Sequence, residues 1–72
     1  MGKIRLKVRF IGGFDRDSEE IAVEENSTYL DLLNIFNINP ETVLILRNGK
    51  PVPIDDRVEK GEIKVLRVIS GG

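Results

Sequence analysis

From Lys3 to Phe10 the chain alternates without a break. Ile4, Leu6, Val8 and Phe10 fall on one side, and Lys3, Arg5, Lys7 and Arg9 on the other. A period of two marks a strand with one buried face. Gly12-Gly13 ends the run and opens a polar loop through Ser18. A second short strand follows, with Ile21 and Val23 inward between Glu20, Ala22 and Glu24, so the two runs predict a hairpin.

The period then changes. Thr28 with Asp31 fits a capping box, Asp standing in for the usual Glu, and Tyr29, Leu32, Leu33 and Phe36 form one apolar stripe at helical spacing. The spacing predicts a helix of roughly ten residues, stopped between Asn37 and Pro40 because the residue before Pro is pushed out of the α region. Val43 to Arg47 is rich in β formers, and Asn48-Gly49 after it is a strong hairpin signal. Lys50 to Pro53 then reads as a short edge strand, where missing amide donors do no harm. Ile54 to Val58 connects, Lys60-Gly61 turns, and Glu62 to Ile69 is the last strand.

The predicted order is β-β-α-β-β-β, an α+β fold in which one helix crosses one face of a mixed sheet of about five strands. The first and last strands then lie parallel at the sheet centre, the arrangement called a β-grasp. Residues 1–69 make up this domain, and 70–72 a flexible C-terminal tail ending in diglycine.

Two apolar runs are too long for a sheet covered on one side. Val43-Leu44-Ile45-Leu46 does not alternate, and neither do Val65-Leu66 and Val68-Ile69. If Val43, Ile45, Ile63 and Val65 face the helix, then Leu44, Leu46, Leu66 and Val68 face away from it. They share that open face with Lys3, Arg5, Lys7, Arg9 and Lys64, giving an apolar patch beside a basic stripe. Such a patch marks a partner surface. The competing explanation is a strand covered on both faces, by a dimer or by the tail itself. So short a chain, however, has no second helix to supply that cover.

Composition narrows the function. The chain has 72 residues, no cysteine and no histidine, and a net charge of -1 with the two signs interspersed. A domain this small buries only about 60% of its unfolded surface, so one two-layer core must suffice. Without Cys there is no disulfide, thiolate nucleophile or thiolate metal site, and without His the commonest general base is missing. No nucleophile–base pair stands out, so the protein reads as the thing acted upon, not an enzyme. The balanced charge argues against a polyanion binder. With Tyr29, Phe10 and Phe36 assigned to the core, no aromatic platform is left for nucleic-acid bases. No apolar run reaches the length of a membrane span and no signal segment opens the chain, so no membrane association and a cytoplasmic location are expected. Asp15-Arg16-Asp17-Ser18-Glu19 fails the spacing of a calcium loop, and Gly12-Gly13 that of a phosphate loop, so no metal site is expected.

The terminal Gly71-Gly72 carries the chemistry. Two glycines at that place arise by chance roughly once in 200 sequences. A carboxylate becomes electrophilic only when one oxygen is turned into a leaving group, as in an acyl-adenylate. An enzyme doing this must draw the end through a narrow channel, and glycine, lacking Cβ, lets the backbone pass. The acyl carbon can then receive sulfur or an amine.

Ser27-Thr28-Tyr29 with Asp31-Leu32-Leu33, then Asn48-Gly49-Lys50-Pro51-Val52-Pro53, then Ile63 to Ile69 running into Ser70-Gly71-Gly72, together carry a family resemblance. The chain resembles the ubiquitin-like carriers that include the thiamin and molybdopterin sulfur carriers, and in particular the small archaeal modifier proteins. That resemblance implies an E1-like adenylating enzyme that uses ATP on the Gly72 carboxylate, the carrier itself holding no cofactor. The activated end, with Gly71 and Gly72 as its working residues, is then expected to take sulfur or to join target proteins. Sulfur would be passed to sulfur-transfer and tRNA-thiolation enzymes. Target proteins would be joined through lysine, and a deconjugating protease would release them. The protein is expected to be a monomer. Leu44, Leu46, Leu66 and Val68 sit where the family's partner-binding sheet surface lies. Unlike ubiquitin, the chain is shorter and lacks a basic residue just before the diglycine. The alternative is a β-grasp adaptor that binds partners through the open sheet face and uses no terminal chemistry.

Overall fold

A computed structural model describes residues 2–68. The alternating run forms β1 (Lys3–Ile11), paired antiparallel with β2 (Ser18–Glu24). Helix α1 (Tyr29–Ile35) follows, then a 3-10 turn (Pro40–Thr42), β3 (Val43–Arg47), β4 (Lys50–Pro51) and β5 (Gly61–Arg67). The sheet order is β2-β1-β5-β3-β4, with β1 and β5 parallel at its centre. This is the β-grasp arrangement, and the inward residues of the alternating runs face the core that the helix covers. Leu6, Val8, Ile45, Ile63 and Val65 from the sheet are closed off by Tyr29, Leu32 and Leu33 from α1, each no more than 2% exposed.

The start of α1 is as expected. The amide of Asp31 donates to Thr28 Oγ1 at 3.2 Å, and the amide of Thr28 donates to Asp31 Oδ2 at 3.0 Å, so two orphan helix-end donors are satisfied reciprocally. Its length is not. The helix is 7 residues long, not about ten, and within the expected stop from Asn37 to Pro40 it is Asn37, at φ 59, that ends it. Asn37 N–H donates to the Asn34 carbonyl at 3.1 Å and Ile38 N–H to the Leu33 carbonyl at 2.9 Å, the paired bonds of a Schellman cap. Pro40 instead opens the 3-10 turn, with Asn39 Oδ1 accepting from the Glu41 amide at 3.0 Å.

Three strand limits also differ. β1 runs one residue further, to Ile11, and β5 runs from Gly61 to Arg67, with Ile69 outside the described residues. β4 is cut to Lys50–Pro51, since prolines at 51 and 53 remove two ladder donors. The turn before it matches the sequence reading. Asn48 (φ 54) and Gly49 (φ 78) both take the left-handed conformation that a tight hairpin turn requires.

Candidate functional site

The face that the helix leaves bare carries the outward residues of all the strands. Register sets Leu44 opposite Leu66, Leu46 opposite Lys64, and Leu66 beside Ile11 of β1. With Val68 just beyond β5, these side chains form an apolar strip across β3, β5 and β1. Leu44 is 37% exposed, Val68 38% and Ile11 42%, while Leu46 and Leu66 are half-buried against their neighbours. The pleat enforces this, because alternate residues on the same strands, Val43, Ile45, Ile63 and Val65, are committed to the core.

The structure therefore brings Leu44, Leu46, Leu66 and Val68 together on one surface, as parity predicts. Gly71 and Gly72 lie outside the described residues, as do Ile69 and Ser70. Ile11 was missed from sequence. It shares parity with Lys7 and Arg9, but Gly12-Gly13 directly after it made the strand look finished at Phe10.

The remainder of the open face departs from the expected basic stripe. Glu24 stands opposite Lys3 and Glu20 opposite Lys7 on β2, while Glu62 stands across from Lys7 on β5. Arg9 Nη1 reaches Glu62 Oε2 at 3.4 Å, with both side chains about half exposed. Lys7 is thus flanked by carboxylates on both sides and Lys3 on one, whereas Arg5 faces Ala22 and Arg9 stands between Ser18 and Lys64, so the stripe is only partly offset. Hairpin pairing was the missing information, since acids in β2 look unrelated to β1 until the register is known.

The end of β5 is held firmly. Val68 N–H donates to the Thr42 carbonyl at 2.9 Å. On the helix side, the Arg67 guanidinium lies 4.5 Å over the Phe14 ring, and Phe14 packs on Phe10 with centroids 5.3 Å apart. Phe14 belongs to a loop read as polar, yet it caps the core there. Gly12, at φ +106, makes this approach possible, because a Cβ on it would meet Arg67 Cβ at 3.0 Å. The start of β5 is clamped as well. Half-buried Arg47 donates to the carbonyls of Glu59 at 3.1 Å and Lys60 at 2.8 Å. Both ends of the central strand are fixed, so the apolar strip is presented on a rigid support. No helix among the described residues is long and apolar enough to cross a membrane.

The sequence pattern described as small archaeal modifier protein 2 matches residues 4–69. A small archaeal modifier protein 2 from Haloferax volcanii is 43% identical over 56 residues, covering 78% of this chain and 85% of that protein. The sulfur carrier protein TtuB of Thermus thermophilus is 33% identical over 57 residues, covering 78% of this chain and 88% of its own. Among solved structures, the ubiquitin-like domain of Plasmodium falciparum Dsk2 superposes with a TM-score of 0.73 at 22% identity, covering 93% of this chain and all of that one.

Proposed function

The chain belongs to the small archaeal modifier protein 2 family, whose members are ubiquitin-like modifiers and carriers and not catalysts, and we propose that it works through the carboxylate of Gly72. In this reading an E1-like enzyme brings ATP to the chain end. A Gly72 carboxylate oxygen attacks the α-phosphorus, pyrophosphate leaves, and the acyl carbon is left bonded to AMP. Hydrosulfide displacing AMP yields a thiocarboxylate, whose sulfur can be passed on to tRNA by sulfur-transfer enzymes. A lysine amine displacing AMP yields an isopeptide bond to a target protein, which a protease can later cleave. ATP belongs to the activating enzyme, and these steps place the work in the cytoplasm.

The observation that carries the reading is the apolar strip of Leu44, Leu66 and Val68, which runs from β3 onto β5, the strand that leads to Gly71-Gly72. An enzyme docked there is within a few residues of the carboxylate it must activate. The name of the Thermus relative supports sulfur carriage, and that of the Haloferax relative supports modification.

The test is to incubate the protein with ATP and its host's adenylating enzyme, alongside a variant lacking Gly71-Gly72. Pyrophosphate exchange is expected for the full chain and absent from the truncated one. If the truncated protein still performs every cellular task of the full chain, the strip serves an adaptor and the reading is wrong.

A further inference from the structure

The two long central strands are out of step at one end. β2 pairs with β1 from Lys3 to Arg9, whereas β5 joins it only from Leu6, opposite Gly61. In an antiparallel ladder, half of the N–H and C=O groups point away from the partner strand. Along Lys3–Arg5 those groups point to where β5 would continue, and β5 pairs with no residue of β1 before Leu6. The chain before Gly61 diverges instead and leaves an open notch of about 980 Å³.

The lining of the notch is specific. Its floor is apolar, made by half-buried Ile4 with Leu6 and Val58, and its rim carries Lys3, Arg5 and Lys60. Two acids also line it, but Glu20 stands opposite Lys7 and Glu59 lies 3.8 Å from Arg47. Arg5 faces Ala22, with no acid opposite. The far wall is rigid, because Arg47 holds the carbonyls of Glu59 and Lys60.

We propose that this notch receives an extended segment of a partner protein in which acidic side chains alternate with small apolar ones. The segment adds to the free edge of β1 as a short strand in line with β5. Successive side chains then point to opposite faces of the sheet. Those on the helix side meet Ile4, Leu6 and Val58. Those on the open side meet Lys3 and Arg5, which is why carboxylates fit. The start of β5 at Gly61 limits the added strand to about three residues, roughly 10 Å. A contact that short is weak, with Kd on the order of 0.1 mM.

The notch sits at the opposite end of β1 from Ile11, and so away from the strip beside the chain end. A partner can occupy it while Gly72 is engaged elsewhere. The inference therefore stands apart from the chemistry proposed for Gly72 and can fail independently of it. The competing view is that Lys3 merely guards an exposed edge against any incoming strand.

The experiment titrates the ¹⁵N-labelled full chain with a capped peptide of alternating glutamate and valine. Saturable shifts are expected at the amides of residues 3–6 and 58–61, with slowed exchange of the outward-facing amides of 3–5. Backbone N-methylation of the peptide, or high salt, should weaken binding roughly tenfold. The double substitution Arg5→Glu, Lys60→Glu lies on exposed positions and should transfer preference to a lysine–valine peptide. The core resonances of Val8 and Leu33 report that this variant stays folded. Equal binding of both peptides to the wild type, shifts centred on Leu44 and Leu66, or no saturation at millimolar peptide would each overturn the proposal.

Discussion

The two halves of the open sheet face are built by one rule and end with opposite properties. On β1 the outward positions are all cations, and register sets acids of β2 opposite two of them: Glu24 opposite Lys3 and Glu20 opposite Lys7. On β5 and β3 the outward positions include Leu66 and Leu44, which face each other, with Ile11 and Val68 extending the apolar strip. The charged half is satisfied in part by itself, with Arg5 left opposite Ala22, and keeps its water. The apolar half is left exposed at a free-energy cost that a second molecule can recover, at about 25 cal/mol per Å² covered. The lesson is that binding capacity on this face lies where side chains lack a partner within the sheet. Charge alone does not locate it.

The comparison breaks most visibly at Leu66. Changing Leu66→Asp sets a carboxylate in the centre of the strip and is expected to lower the activating enzyme's kcat/KM for this protein about 100-fold, roughly 2.7 kcal/mol. Because Leu66 is only half-buried, urea unfolding should register a smaller change. If Lys7→Gln impairs activation as much as Leu66→Asp, the two halves are not different in kind. A smaller effect is expected at Lys7→Glu, which stands between Glu20 and Glu62. Like charges across strands should cost about 0.5–1 kcal/mol in urea unfolding, with activation altered less than about threefold. Smallest of all is the Arg9–Glu62 pair, whose side chains are 55% and 44% exposed. A double-mutant cycle with Arg9→Gln and Glu62→Gln should return a coupling of about 0.5 kcal/mol or less, vanishing in high salt. A coupling well above 1 kcal/mol would mean that the charged half is a structural network and not a solvated surface.

Much of this was legible from residue order because the signals are local. Strict alternation in β1, the Thr28–Asp31 cap and the Asn48-Gly49 turn each depend on neighbours within a few positions, and each is found as read. Parity alone also gathered Leu44, Leu46, Leu66 and Val68 on one face. What escaped required knowing which strands touch. Glu20 and Glu24 offset Lys7 and Lys3 only through the hairpin register. Phe14 caps the core only because Gly12 lets its turn close on Arg67. The notch beside Lys3–Arg5 exists only because β5 begins later along β1 than β2 pairing requires. The helix is shorter than its spacing predicts for a different reason. Asn37 in the left-handed conformation stops a helix as well as glycine does, and Pro40 three residues on drew attention from it.

The central claim is that chemistry happens at Gly72, and the direct measurement is the intact mass of the protein isolated from its own host, grown with and without a sulfur source, together with a survey of lysine-linked peptides. The account predicts a fraction whose C-terminal fragment gains the mass difference of sulfur for oxygen, or Gly72 found joined to lysines of other proteins. A C-terminus that stays an unmodified carboxylate under every growth condition, with no conjugates, would contradict it.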